Sequence, residues 1–163
     1  MLHIPDNEVS SESLKRVLTF YGYDIALDEC PKTFYIRSET KVSIQIHLPG
    51  DQPFIRIVTK HALPRHLSEA ARLKLVNEVS QRMHLCAFFL NDEGEIVSLW
   101  YQPYRYGLNV PQMLINLKRF SHGNYTIWNE ADWKGLITPA LPVKAGTTIT
   151  TLAEEEPMHA TCH

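Results

Sequence analysis

The tightest constraint on this chain lies between Leu85 and Phe120. An apolar run, Leu85-Cys86-Ala87-Phe88-Phe89-Leu90, meets a polar turn, Asn91-Asp92-Glu93-Gly94, and a second apolar run follows, Ile96-Val97-Ser98-Leu99-Trp100-Tyr101. Two such runs across a short loop predict an antiparallel hairpin, with Gly94 supplying the positive φ that a loop of this length needs. Beyond a Pro/Gly loop, Asn109 offers a helix cap, Pro111 falls in the first turn and Gln112 stands three residues past the cap. A helix is therefore expected from near Pro111, with Met113, Leu114, Leu117 and Phe120 on its apolar face and His122-Gly123 at its end. Tyr125, Ile127, Trp128 and Trp133 read as an aromatic coda that packs back on the body.

The N-terminal half supplies elements for this hairpin and helix to pack on. Residues 1–9 are polar and read as loose. Ser10 is placed to accept from the backbone of Ser13, Val9 and Leu14 sit at the positions of a hydrophobic staple, and Leu14, Val17, Leu18 and Tyr21 recur at helical spacing. Gly22 ends that helix. Short strands are expected over Tyr23–Glu29 and Thr33–Arg37. Val42, Ile44, Ile46 and Leu48 then alternate with Lys41, Ser43, Gln45 and His47, the signature of a strand with one wet and one buried face. Phe54 to Lys60 continues the series, and the short connections between these strands permit only an antiparallel meander. A longer helix follows from Pro64 and Ser68 to about Met83, on the stripe Leu67, Ala71, Leu75, Val79 and Met83 with Val76 beside it.

A chain of 163 residues, 44% hydrophobic and 21% charged, has the make-up of one ordinary globular domain. We expect a single α+β domain over residues 1–136. Residues 137–163, rich in Thr and Pro and containing Glu154-Glu155-Glu156, read as a flexible acidic tail. A formal net charge of −2 argues against nucleic acid as a partner. No apolar run nears the roughly 18 residues of a membrane span. The first residues lack a basic region followed by an apolar one, so a cytoplasmic protein without membrane contact is expected. Cys30, Cys86 and Cys162 form no Cys-x-x-Cys pair, which fits that compartment.

The order α-β-β-β(-β)-α-β-β-α resembles the type III secretion chaperone-like fold. Within it, Leu75-Val76-Asn77-Glu78-Val79-Ser80-Gln81-Arg82, Phe88-Phe89-Leu90-Asn91-Asp92-Glu93-Gly94-Glu95-Ile96-Val97 and Leu108-Asn109-Val110-Pro111 resemble the YbjN family, described as bacterial sensory-transduction regulators. The likeness covers about residues 65–122. It departs at Ser80, where a second Asn is usual, and in the aromatic loop Tyr101-Gln102-Pro103-Tyr104-Arg105-Tyr106. The resemblance implies an antiparallel sheet with helices packed on it. It further implies a non-enzymatic, homodimeric cytoplasmic protein that acts by binding another protein, in signalling or stress response.

No arrangement of residues assembles a catalytic, cofactor or metal site. Among eight histidines the one local cluster is His159-Ala160-Thr161-Cys162-His163, without an element to orient it. Cys86 could pair with His84 or His61, yet no oxyanion hole or orienting third group accompanies them. The acidic turn at residues 91–95 lacks the ligand spacing of a calcium loop. No cofactor is expected. Trp100, Tyr101, Tyr104, Arg105 and Tyr106, with Phe88, are the candidate protein-binding residues, since aromatics and Arg concentrate at interfaces. The hairpin is apolar on both faces, and a patch that includes Phe88 and Trp100 is expected to face a second copy or a client. A small-ligand sensor with a pocket between sheet and helices is the alternative.

Overall fold

The alternating stretches pair as consecutive strands in a computed structural model of the chain, which describes residues 2–37, 39–40 and 42–130. In chain order the elements are β1 (His3–Ile4), α1 (Ser11–Phe20), β2 (Asp24–Cys30), β3 (Thr33–Arg37), β4 (Ser43–His47), β5 (Phe54–His61) and α2 (Glu69–Arg82), then β6 (Ala87–Leu90), β7 (Ile96–Pro103), β8 (Leu108–Asn109) and α3 (Val110–Glu130). Six strands form one antiparallel sheet in the order β2-β3-β4-β5-β7-β6. The meander β2 to β5 follows the chain. β7 then returns beside β5, paired from Phe54↔Pro103 to His61↔Ile96, and leaves β6 at the edge. The architecture is α+β, as the order of elements predicts.

Local chemistry starts and stops the helices. Ser10 Oγ accepts from the Ser13 amide at 3.2 Å while Ser13 Oγ accepts from the Ser10 amide at 2.9 Å. This reciprocal box and the caps at Ser68 (to Ala71 N, 3.3 Å) and Asn109 (to Gln112 N, 3.0 Å) each contribute about 1 kcal/mol. Gly22 stands at φ +85° just past α1, and Gly94 at φ +75° closes the hairpin, with the Arg72 guanidinium against its Cα. Arg72 donates to the carbonyls of Leu67 (3.1 Å) and Gly94 (3.3 Å), which ties the start of α2 to the turn.

All three helices bury their apolar faces against one side of the sheet. Leu14, Val17 and Leu18 of α1, Leu75, Val76 and Val79 of α2, and Met113, Leu117 and Phe120 of α3 share a core with Phe34, Ile36, Ile44, Ile46, Ile55, Ile57 and Ile96. Tyr21, placed by periodicity on the α1 stripe, stays exposed, as does Ala71 on α2.

The structure corrects the sequence reading at several points. Residues 2–9 are not loose: β1 pairs antiparallel with β8, and Ile4 is buried in the core. The last helix does not stop at Gly123 but runs to Glu130, so Tyr125, Ile127 and Trp128 are its final turns rather than a separate coda. Glycine within a helix costs about 1 kcal/mol relative to alanine. Here it allows a close contact, because a Cβ at Gly123 would lie 2.9 Å from Met83 Cε at the end of α2. The edge strand begins at Ala87, which leaves His84 outside it and exposed. Trp133, the boundary at residue 136 and the expected tail lie outside the described residues.

Candidate protein-docking face

Cross-strand partners in an antiparallel ladder share a face, so register sorts every strand residue onto one side of the sheet. Phe34, Ile46, Ile57 and Trp100 form one inward row, and Thr59, Ser98 and Phe88 another. Outward rows alternate with them. Tyr35, Gln45, Val58, Leu99 and Ala87 make the middle one, with Lys60, Val97 and Phe89 on one flank and Thr33, His47, Arg56 and Tyr101 on the other. The helices lie on the inward side, and among the described residues no element covers the outward side.

The outward face is apolar where β5, β7 and β6 meet. Phe89 is 42% and Tyr101 46% exposed. Val58 and Leu99 are half-buried between them, and Val97 is buried without belonging to the core cluster. The ring of Phe54 packs edge-on to Tyr101 at 4.8 Å between centroids, and the Arg56 guanidinium carbon stands 5.7 Å from the centre of the Phe54 ring. Aromatic pairs and cation–π contacts of this kind concentrate at binding surfaces. Arg56 Nε is buried without an acceptor among the described residues. His47, opposite Arg56, accepts from or donates to Thr33 Oγ1 at 2.7 Å. Burial, then the charges of Arg56 and Lys32, lower its pKa. On β4, β5, β7 and β6 the outward positions include Arg56 and Lys60 and no carboxylate; Lys60 Nζ lies 3.9 Å from Glu95 and 4.0 Å from Glu93 in the adjoining turn.

The residues singled out in the sequence therefore divide. Phe88 and Trp100 face the helices: Phe88 is 9% exposed, and Trp100 is half-buried with its ring 6.4 Å from that of Phe120. They are core residues, because β5 pairs with β7 in the register that sets Trp100 opposite Ile57. Tyr101 lies on the outward face. Tyr104 is half-buried against the core, its amide donating to Pro53 O at 2.9 Å, and burial raises its phenol pKa. Arg105 and Tyr106 are exposed in the loop after β7, with Tyr106 90% exposed. Phe54, Arg56 and Val58 escaped the sequence reading, which had Phe89, Val97 and Leu99 in the hairpin but took the opposite face, with Phe88 and Trp100, as the open one. The available signal was β5, where Phe54 and Val58 occupy positions that alternate with the buried Ile55 and Ile57.

Beneath the sheet the polar groups are inward-turned and closed. Asn124 Oδ1 accepts from Ser98 Oγ at 2.7 Å, Thr59 Oγ1 at 3.2 Å and Trp128 Nε1 at 3.4 Å, while Asn124 Nδ2 donates to Phe120 O at 2.9 Å. His61 stacks on Trp128 at 4.3 Å, and burial pushes its pKa down to about 4, against the opposing pull of Asn124 and Glu95. This cluster satisfies its own buried groups, while Gln102 Oε1, opposite Ile55 on the inward side, is buried without a partner among the described residues. The thiol of Cys86 is pushed up to about 12 by burial, so it is not poised as a thiolate nucleophile. A cleft of about 250 Å³ opens between Tyr21, Gly22, Tyr23, Glu39, Leu114, Ile115 and Lys118. Its rim pair, Lys118 and Glu39 at 3.8 Å, is solvent-exposed. Among the described residues no three His, Cys, Asp or Glu side chains converge as metal ligands, and no helix is long and apolar enough to cross a membrane. The histidines at 159 and 163 lie outside the described residues.

No family model matches the chain. No curated protein matches it either. Solved structures do match. YbjN of E. coli, there a candidate transcription regulator, superposes with a TM-score of 0.61 at 14% identity over 78% of this chain and 95% of that one. The fold is the type III secretion chaperone-like one. An uncharacterized protein of Methanothermobacter thermautotrophicus shares this fold (TM-score 0.55, 18% identity, 73% and 94% of the two chains). So does a chain of the HopA1–SchA chaperone–effector complex (0.51, 12%, 72% and 94%). At these identities the chaperone-like fold is what is shared.

Proposed function

We propose that this chain is a non-enzymatic protein-binding module, of regulatory or chaperone-like type, whose docking surface is the outward face of the sheet. The observation that carries this reading is the apolar patch of Phe89, Leu99, Val58 and Tyr101, which lies outside the core and beneath no helix among the described residues. Exposed apolar patches on soluble domains mark interaction sites, and the Phe54–Tyr101–Arg56 group at one end gives this one an aromatic and cationic anchor. A protein of the same fold occurs in a chaperone–effector complex, which supports a similar use of the fold here. We assign the action to the cytoplasm, in bacterial signalling or stress response. Homodimerisation is proposed on the helix side, where Phe20, Tyr21 and Ile115 stay exposed.

Leu99→Glu tests the docking surface, because Leu99 is half-buried on the uncovered side of the sheet and lies outside the core. Affinity capture with the wild type and with Leu99→Glu, both checked by circular dichroism, is expected to yield a protein partner that only the wild type retains. Identical partners on both would overturn the assignment. Tight binding of a single-stranded DNA oligonucleotide to the wild type, lost in Leu99→Glu, would overturn it in favour of nucleic acid.

A further inference from the structure

The outward face has a direction, and so does the sequence that follows α3. At one end of the face Val97 and Phe89 stand beside Lys60, whose charge is shared with Glu93 and Glu95. Leu99, Val58 and Ala87 come next, then Tyr101 with Arg56. From Val97 to Tyr101 the row runs about 13 Å at the rise of a β-strand. Apolar groups thus precede the cation whose buried Nε has no acceptor among the described residues.

The last turns of α3 bring the end of that helix to the Val97 end of the face. Trp128 stacks on His61, which pairs with Ile96, and Asn124 holds Thr59 and Ser98. Lys60 and Val97, one step along the same two strands, point outward from that end. Residues 131–140 extended reach as far as roughly 33 Å, ample to pass around a sheet whose packing layers are about 10 Å apart. The next stretch contains Leu141, Val143, Ile149 and Leu152, including the β-prone Thr147-Thr148-Ile149-Thr150-Thr151, and only then comes Glu154-Glu155-Glu156. Apolar side chains precede the acids in the sequence, as apolar groups precede the cation on the face.

We propose that residues 141–156 of this chain lie across the outward face, with the apolar part on Phe89 and Leu99 and the glutamates toward Arg56, and that they compete there with the protein partner. The competition rests on the function proposed above; the intrachain contact does not. A second copy suits this face less well, since the outward positions of β4, β5, β7 and β6 offer Arg56 no carboxylate, and Asp24, outward on β2, lies opposite Arg37 at the far edge of the sheet.

Photo-cross-linking on the full chain tests the contact directly. A photoreactive phenylalanine derivative replaces Leu99 in one sample and Tyr106, which is 90% exposed, in a control. Mass spectrometry is expected to find Leu99-site products within residues 141–156 in the monomer, at a yield independent of protein concentration, and none from the Tyr106 site. Joint substitution of Glu154→Lys, Glu155→Lys and Glu156→Lys should lower that yield about tenfold, the scale of several exposed charge pairs reversed together. The same variant should capture more partner than the wild type. Products joined to a second copy, or none in residues 141–156, would overturn the proposal, as would a yield unmoved by charge reversal. If the cross-link is absent while Leu99→Glu still loses a partner, the docking face stands and only its intrachain cover falls.

Discussion

Phe88 and Phe89 are consecutive, as are Trp100 and Tyr101, yet the sheet separates each pair. Phe88 and Trp100 face the helices, while Phe89 and Tyr101 are 42% and 46% exposed on the other side. The inward face is closed by three helices and by a polar cluster in which Asn124 satisfies Ser98, Thr59 and Trp128. The outward face is apolar too, but the rings of Phe89 and Tyr101 lie open on it. Apolar character alone therefore does not distinguish core from docking surface. What distinguishes them is whether another element is packed on top.

The largest expected contrast comes from placing the same charge on each face. Trp100→Glu or Phe88→Glu puts a carboxylate under the helices, where an unpaired buried charge costs several kcal/mol, on the order of half a domain's stability or more. Loss of the circular dichroism signal or a collapse of the melting midpoint is expected. A folded, merely dissociated Trp100→Glu would break the assignment of that face to the core.

The two histidines sharpen the comparison through pH. His61 is held neutral inside, its pKa lowered from 6.5 to about 4, so the unfolded chain binds the proton that the folded one refuses. Its stability contribution is intact above about pH 6.5 and is lost as the pH falls toward 4, to a total of about 3 kcal/mol. Urea unfolding between pH 7 and 4 should show this slope. His61→Gln should remove most of it, whereas His47→Gln on the outward face should leave most of it in place.

Asn124→Ala tests whether the inward polar groups matter as a set. It strips the shared acceptor from Ser98, Thr59 and Trp128 and is expected to cost about 2 kcal/mol in urea denaturation, since buried donors left unpaired carry their full desolvation penalty. The smallest effect belongs to Leu99→Glu, expected to cost about 1 kcal/mol, as for a half-buried position outside the core. A loss of several kcal/mol there would show that the outward face is covered far more firmly than a docking surface should be.

Much of the fold was legible because it rests on short-range chemistry. The caps at Ser10, Ser68 and Asn109, the positive φ at Gly22 and Gly94, and the alternation of residues 42–48 act over a few residues, so the sequence declares them. The candidate site was legible only in part. Tyr101 was found by its composition, while Phe54 and Arg56 were missed because they reach it through pairing between strands more than forty residues apart. Gly123 shows the same limit: a residue that ends helices in isolation continues this one, because Met83 from another helix packs against it. By itself the sequence determined where the helices begin and where the hairpin turns, for the interactions responsible are local in the chain, but not where α3 stops. Only the tertiary structure decided that β7 lies beside β5, and hence which half of the hairpin is core and which half is open, because that choice depends on the combined packing of three helices and six strands distant in sequence.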